Sequence, residues 1–176
     1  VLFEEEVGVT IYDKNGKVKE KVSFPDASSF DVYKTKTNHI VVTITSTVSG
    51  WLNDKYTTMY RIYDADFNLL KESTIEKADD VEVIDVNDKY FYLDIDASPS
   101  GTKDYSTILF DSKLNETLRE SDLSGFFFET VNGDIIYTEY EYSYYSKEET
   151  FYDVYNLNNE KLHRFDKYYG NTFTGA

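Results

Sequence analysis

The chain has 176 residues, 40% of them hydrophobic, enough for one domain with a buried core. Its 17 Tyr and 12 Phe exclude a disordered polymer. The net charge of −15 repels nucleic acid and anionic lipid and favours cations or basic partners, and the absence of cysteine excludes disulfides, thiolate metal sites and cysteine nucleophiles.

No apolar run approaches the ~20 residues that cross a bilayer as a helix, so no membrane span is expected. The chain begins at Val1, which points to a processed or engineered start. Leu2-Phe3-Glu4-Glu5-Glu6 reads as the end of a strand and Val7 to Tyr12 as the next. There follows the first of four bends of one type. An apolar residue and an aromatic lead into Asp or Asn, and a second strand starts a few residues later. The copies are Ile11-Tyr12-Asp13, Ile62-Tyr63-Asp64, Leu109-Phe110-Asp111 and Val154-Tyr155-Asn156, spaced 51, 47 and 45 residues apart. Asp and Asn suit such bends because their side chains accept hydrogen bonds from the backbone two residues on.

A second marker keeps the same phase. Asn38-His39, Asn87-Asp88-Lys89 and Asn132-Gly133-Asp134 each lie between two apolar runs and signal hairpins. A unit therefore holds four strands, in the best-marked copy Val81 to Val86, Lys89 to Ile95, Ser106 to Phe110 and Glu116 to Ser121. The second strand is almost continuously apolar, as in Ile40-Val41-Val42-Thr43-Ile44, which predicts cover on both faces. The fourth alternates. In Lys17 to Phe24, Val18, Val22 and Phe24 are expected on one face and lysines on the other, a charged edge that discourages pairing with other molecules. Asp66 to Asp79 is the one stretch readable as a helix, and Asn68, Ser73 and Thr74 weaken that reading.

A repeated four-stranded antiparallel unit of this length resembles a β-propeller blade. The resemblance is architectural, since no Trp-Asp blade ending, kelch double glycine or sialidase Asp-box is present. It implies an all-β, β-propeller-like array of about four repeats in a single repeat domain, residues 1–176. The units are roughly 1–25 (partial), 26–76, 77–122 and 123–167, with a tail, 168–176. If Tyr168 to Thr174 pairs with Val1 to Glu6, the array closes as a four-blade ring; otherwise the chain is part of a larger propeller. An all-β sandwich is the remaining alternative.

In such an array the long second-to-third-strand loops share one face. They are Ser46 to Tyr56, Asp96 to Tyr105 and Tyr142 to Glu149. Long loops on a rigid frame are where binding usually sits. The expected ligand-binding residues are Trp51, Tyr56, Tyr105, Tyr144 and Tyr145, large rings suited to a glycan or a protein surface. The competing view has Trp51 folded over the core, and the Tyr140 to Tyr144 ladder packed on Phe151, Tyr152 and Tyr155. Asp79, Asp80, Asp94 and Asp96 are the candidate metal ligands, for calcium; no other cofactor is expected. Asp64 to Asn68 opens like a calcium loop, but Leu69 and Ile75 stand where its Gly and Glu belong.

His39 and His163 are expected in solvent, and no catalytic signature joins them. The expected function is a non-catalytic binding module for a protein or carbohydrate. The alternatives are a calcium-assisted hydrolase or lyase on a polysaccharide or phosphoester, and a structural spacer. The richness in Tyr, Asn, Asp, Lys and Thr resembles exported proteins of low-GC Gram-positive bacteria, which implies an extracellular or cell-surface location.

Overall fold

The computed structural model describes residues 8–13, 15–24, 27–48, 55–78, 80–97, 104–121, 124–140 and 151–166, and every regular element in them is a strand. Strands β1 (Gly8–Tyr12) and β2 (Val18–Ser23) form a two-stranded sheet. Three four-stranded sheets follow in chain order. The second sheet has β3 (Ser29–Lys34), β4 (Ile40–Val48), β5 (Lys55–Tyr63) and β6 (Leu69–Glu76). The third has β7 (Asp80–Asp85), β8 (Tyr90–Ala97), β9 (Asp104–Asp111) and β10 (Glu116–Ser121). The fourth has β11 (Ser124–Glu129), β12 (Ile135–Tyr140), β13 (Phe151–Asn156) and β14 (Lys161–Asp166). Each is an open antiparallel meander in which neighbours in sequence are neighbours in the sheet. The stretch readable as a helix is β6 instead. The proposed strands at Leu2 to Glu6 and Tyr168 to Thr174 lie outside the described residues.

The four bends share one geometry. Oδ1 of Asp13, Asp64, Asp111 and Asn156 accepts hydrogen bonds from the backbone N–H groups two and four residues on, at 2.8 to 3.0 Å. The backbone carbonyl of the same residue accepts from the N–H three residues on. That third residue is left-handed each time: Gly16 (φ 76°), Phe67 (62°), Leu114 (63°) and Asn159 (63°). A turn of this kind sets the register of the hairpin it joins. A bulky residue in this conformation costs about 1 kcal/mol. Phe67 and Leu114 offset that by packing their side chains against core clusters.

Three of the four bends are followed by a β-bulge. Register jumps between Ile11 and Tyr12, Ile62 and Tyr63, and Val154 and Tyr155 leave Lys19, Leu70 and Leu162 as the extra residues. The hairpin of β9 and β10 runs without one. A bulge puts two residues opposite one and breaks the alternation of faces. Val18 accordingly is 51% exposed, correcting the expectation that it shares a buried face with Val22 and Phe24.

The sheets stack face to face in chain order. Val9, Ile11 and Phe24 of the first pack on Ile40, Val42, Ile44 and Tyr63 of the second. The other face of the second sheet, with Val41, Tyr60 and Ile62, packs on Val81, Phe91, Leu93, Ile95 and Phe110 of the third. Tyr92 and Leu109 on the third sheet's opposite face meet Phe127, Ile135 and Tyr137 of the fourth. Strands β4 and β8 thus send consecutive side chains into two different cores, which accounts for their unbroken apolar runs. Close approach requires a glycine at 125: a Cβ there would fall on the Tyr137 hydroxyl and within 2.5 Å of the Thr138 carbonyl oxygen.

Two glycine substitutions separate backbone from packing effects. Gly16 has nothing within 4 Å of its would-be Cβ, so Gly16→Ala is expected to lose about 1 kcal/mol through φ alone and Gly16→Asn to be nearly neutral, read from urea midpoints. Gly125→Ala meets backbone and ring, and is expected to cost about 1–3 kcal/mol, with a matching fall in Tm.

Candidate functional site

Of the expected ligand-binding residues, Trp51, Tyr144 and Tyr145 lie outside the described residues, as does Asp79 of the expected metal set. Tyr56 is on β5, half-buried and in register with Thr47, and its carbonyl accepts the Lys77 N–H at 3.0 Å. Tyr105 is on β9, paired with Asp96 and Ser121. The third sheet brings Asp80, Asp94 and Asp96 to one end, where Asp80 pairs with Asp96 and Glu82 with Asp94. Among the described residues no group of three or more His, Asp or Glu side chains is placed to hold a metal ion. In backbone register Tyr140 stands opposite Tyr152; Tyr142 and Tyr144 of the expected ladder lie outside the described residues.

A groove of about 390 Å³ lies between the second and third sheets, near this acidic end. Asp31, Val32 and Tyr33 of β3 form one rim, and Asp80, Val81, Glu82 and Val83 of β7 the other; Val41 and Thr43 complete the lining. Consecutive residues of a strand point to opposite faces, so a run of three or four can border a groove only along the strand's edge. Both strands are edges: β3 pairs with β4 alone and β7 with β8 alone. At the turn end the Tyr33 hydroxyl donates to Asp85 Oδ2 at 3.2 Å and the Lys36 N–H to Oδ1 at 2.9 Å, tying the two sheets together. Asp31, Asp80 and Glu82 are exposed. Sequence reasoning singled out only Asp80 of this set. The available signal was the recurrence of acids in otherwise apolar first strands.

His39 corrects the expectation of a solvated histidine: it is 8% exposed, 6.0 Å ring to ring from Phe91, with Nδ1 at 2.9 Å from the Thr37 hydroxyl. Burial pushes its pKa below the ordinary value. His163 is exposed, as expected. Between the third and fourth sheets, burial pushes the Tyr92 phenol well up, helped by Asp94, Tyr137 and Glu82. Thr107, in register with Asp94, is 1% exposed and its Oγ1 has no hydrogen-bond partner.

Asp153 on β13 is 5% exposed and unites the fourth sheet's edge. Arg164 donates to both of its oxygens, at 2.7 and 2.6 Å, and Lys161 Nζ lies 2.7 Å from Oδ1. The Arg164 hydrogen bonds, reinforced by Lys161 and opposed by burial, bring its pKa down to about 2. Asp13 and Asp64 are lowered chiefly by hydrogen bonds from within their bends; in Asp111 the same bonds outweigh burial, which is its largest single influence and acts the other way. The carboxylates of Asp13, Asp64, Asp111 and Asp153 are thus displaced downward, by bonds that shape the fold.

No protein-family model matches the chain, and no curated protein is significantly similar to it. Among solved structures it is similar to a eukaryotic initiation factor at 9% identity and a TM-score of 0.44, covering 94% of this chain and 50% of that one. It is also similar to a mutant apocarotenoid oxygenase of Synechocystis at 11% identity and a TM-score of 0.35, covering 92% of this chain and 45% of that one. The chain spans about half the length of these structures, and the likeness is one of β-rich folds.

Asp153 yields a pH prediction. A carboxyl whose pKa is lowered on folding adds stability above its unfolded value, and that contribution disappears as pH falls through the folded value. Stability in urea is expected to drop between about pH 4 and pH 2. Asp153→Asn should remove part of that drop and lower stability at pH 7 by about 1–3 kcal/mol, since the two cations it leaves are partly solvated.

Proposed function

We propose that the four sheets are successive blades of a β-propeller-type array, and that the chain is a non-catalytic binding module whose partner is a protein with a basic surface. The blade reading is supported by the meander order, the common bend and the face-to-face stacking in chain order. An exported or cell-surface setting belongs to the same reading and rests on composition. The glycan alternative depends on Trp51, Tyr144 and Tyr145, outside the described residues.

The observation that carries the binding role is the acidic end of the third sheet. Glu82 stands opposite Asp94, with Asp80 and Asp31 exposed on the neighbouring edges. Like charges directly across a strand pair repel, and a cation brought to this end by a partner would relieve that repulsion.

The test is titration with octalysine and octaglutamate. One octalysine per chain is expected at saturation, with affinity falling steeply between about 50 and 300 mM salt, and none of the acidic peptide. Absence of octalysine binding, or calcium-dependent breakdown of a polysaccharide or phosphoester by the purified chain, would overturn the reading.

A further inference from the structure

We propose that a cavity at the turn end of the second and third sheets binds the phosphate group of a small phosphomonoester, held by His39, Lys71, Ser112 and Lys113. The site shares no lining residue with the acidic groove, and it stands or falls independently of the reading of the chain as a module for a basic partner.

The cavity measures about 460 Å³ and is lined by His39, Leu70, Lys71, Ser112, Lys113 and Leu114. Register brings these groups together. Lys71 stands opposite Ile62, whose side chain enters the core between the second and third sheets, so Lys71 leaves its sheet on that side and its ammonium lies 5.7 Å over the Phe110 ring. His39 comes from the turn before β4 and lies against Phe91 in the same layer. The bend at Asp111 carries Ser112, Lys113 and Leu114 from the third sheet, and Leu114 packs on the same core. In a chain with 33 acidic residues this wall has none, and three of its six residues carry basic nitrogen. The neighbouring carboxylates are engaged elsewhere. Asp64 and Asp111 accept N–H groups of their own bends at both side-chain oxygens. Glu116 pairs with Lys71 at 3.0 Å from outside the lining, and Lys113 has no ion pair among the described residues. The net charge of −15 opposes anions at a distance, so the ligand is held by direct donation at short range, which favours one compact group over an acidic polymer.

His39 supplies the second observation. It is 8% exposed, and of its ring nitrogens only Nδ1 has a partner among the described residues, the Thr37 hydroxyl at 2.9 Å. Thr35 sets the direction of that bond. Its single hydroxyl proton has Thr37 Oγ1 at 2.7 Å and the His39 carbonyl at 3.2 Å, and the shorter contact is the better hydrogen bond. Thr37 then donates to Nδ1, and the neutral ring, which burial favours, carries its hydrogen on Nε2. A buried donor without an acceptor is costly, and an oxyanion in the cavity provides one. A phosphomonoester near neutral pH carries roughly −1.5 to −2 charge on three acceptor oxygens. That suits two ammonium groups, the Nε2 hydrogen and the Ser112 hydroxyl better than the single charge and two oxygens of a carboxylate. Leu70 and Leu114 remain for apolar contact with the organic part of the ester.

The probe is phenyl phosphate, compared with benzoate and inorganic phosphate, and the readout is the imidazole NMR signals of the two histidines near neutral pH. Phenyl phosphate is expected to move the His39 signals saturably, at roughly millimolar concentration, and to leave those of the exposed His163 in place. Benzoate is expected to bind about tenfold more weakly or worse, and inorganic phosphate, lacking the organic part, more weakly than the ester. Lys71→Gln combined with Lys113→Gln is expected to weaken phenyl phosphate about tenfold, and Lys89→Gln, on another turn, to leave it unaltered. Lys113→Gln alone, which breaks no ion pair among the described residues, is expected to lose about threefold and keeps the test valid if the double variant unfolds. Unmoved His39 signals, undiminished binding by the Lys113 variant, or benzoate as tight as phenyl phosphate overturns the site. Inorganic phosphate as tight as the ester overturns the assignment of an organic ligand.

Discussion

Covering both faces of a sheet is the constraint to which the rest of this molecule conforms. The second sheet meets the first through Ile40, Val42 and Ile44 and the third through Val41, Tyr60 and Ile62. A strand in that position cannot alternate apolar with polar, because both sets of side chains leave water. The hydrophobic contribution from a fully buried residue such as Ile62 or Phe91 is about 1.5–3 kcal/mol, and three successive inter-sheet cores repeat it along the chain. What the stack leaves at its margins is the charge: lysines and glutamates on the fourth strands, acids on the first.

The bends make such stacking repeatable. One side-chain oxygen holding two backbone N–H groups, with a left-handed residue between them, returns the chain in a fixed register wherever it occurs. Asp111 and Asn156 do this as well as Asp13 and Asp64, since only the acceptor oxygen is needed. The first-to-second-strand turns reach a similar end by other chemistry. The hydroxyls of Thr35 and Thr130 accept the N–H groups of His39 and Asp134, and the Asn87 side chain those of Lys89 and Tyr90.

Polar groups inside the stack are treated in two ways. Asp153 is buried but bracketed by Arg164 and Lys161, so its charge is compensated where it sits. The Thr107 hydroxyl is buried without a partner, beside Asp94 on the face turned toward the fourth sheet, a local cost that apolar packing around Leu109 and Tyr92 outweighs. The acids along the β3 and β7 edges, Asp31, Asp80 and Glu82, remain in water, where holding negative charge costs little.

By itself the sequence determined the all-β class, the four bends at 13, 64, 111 and 156, and the four-strand unit. Val81 to Val86 is observed as Asp80–Asp85, and Glu116 to Ser121 as predicted. These are legible because hydrogen bonds inside a hairpin and the alternation of a strand are local, so neighbouring residues specify them. Tertiary structure decided which side of a bulge keeps the core face: the extra residue at Lys19 breaks the alternation, so Val22 and Phe24 pack on the core while Val18 is exposed. It also decided the fate of His39, which is buried with its ring 6.0 Å from that of Phe91 in the next sheet. The groove belongs to the same class: its two rims, Asp31 to Tyr33 and Asp80 to Val83, come from different sheets, and no local pattern records which edges end up facing each other.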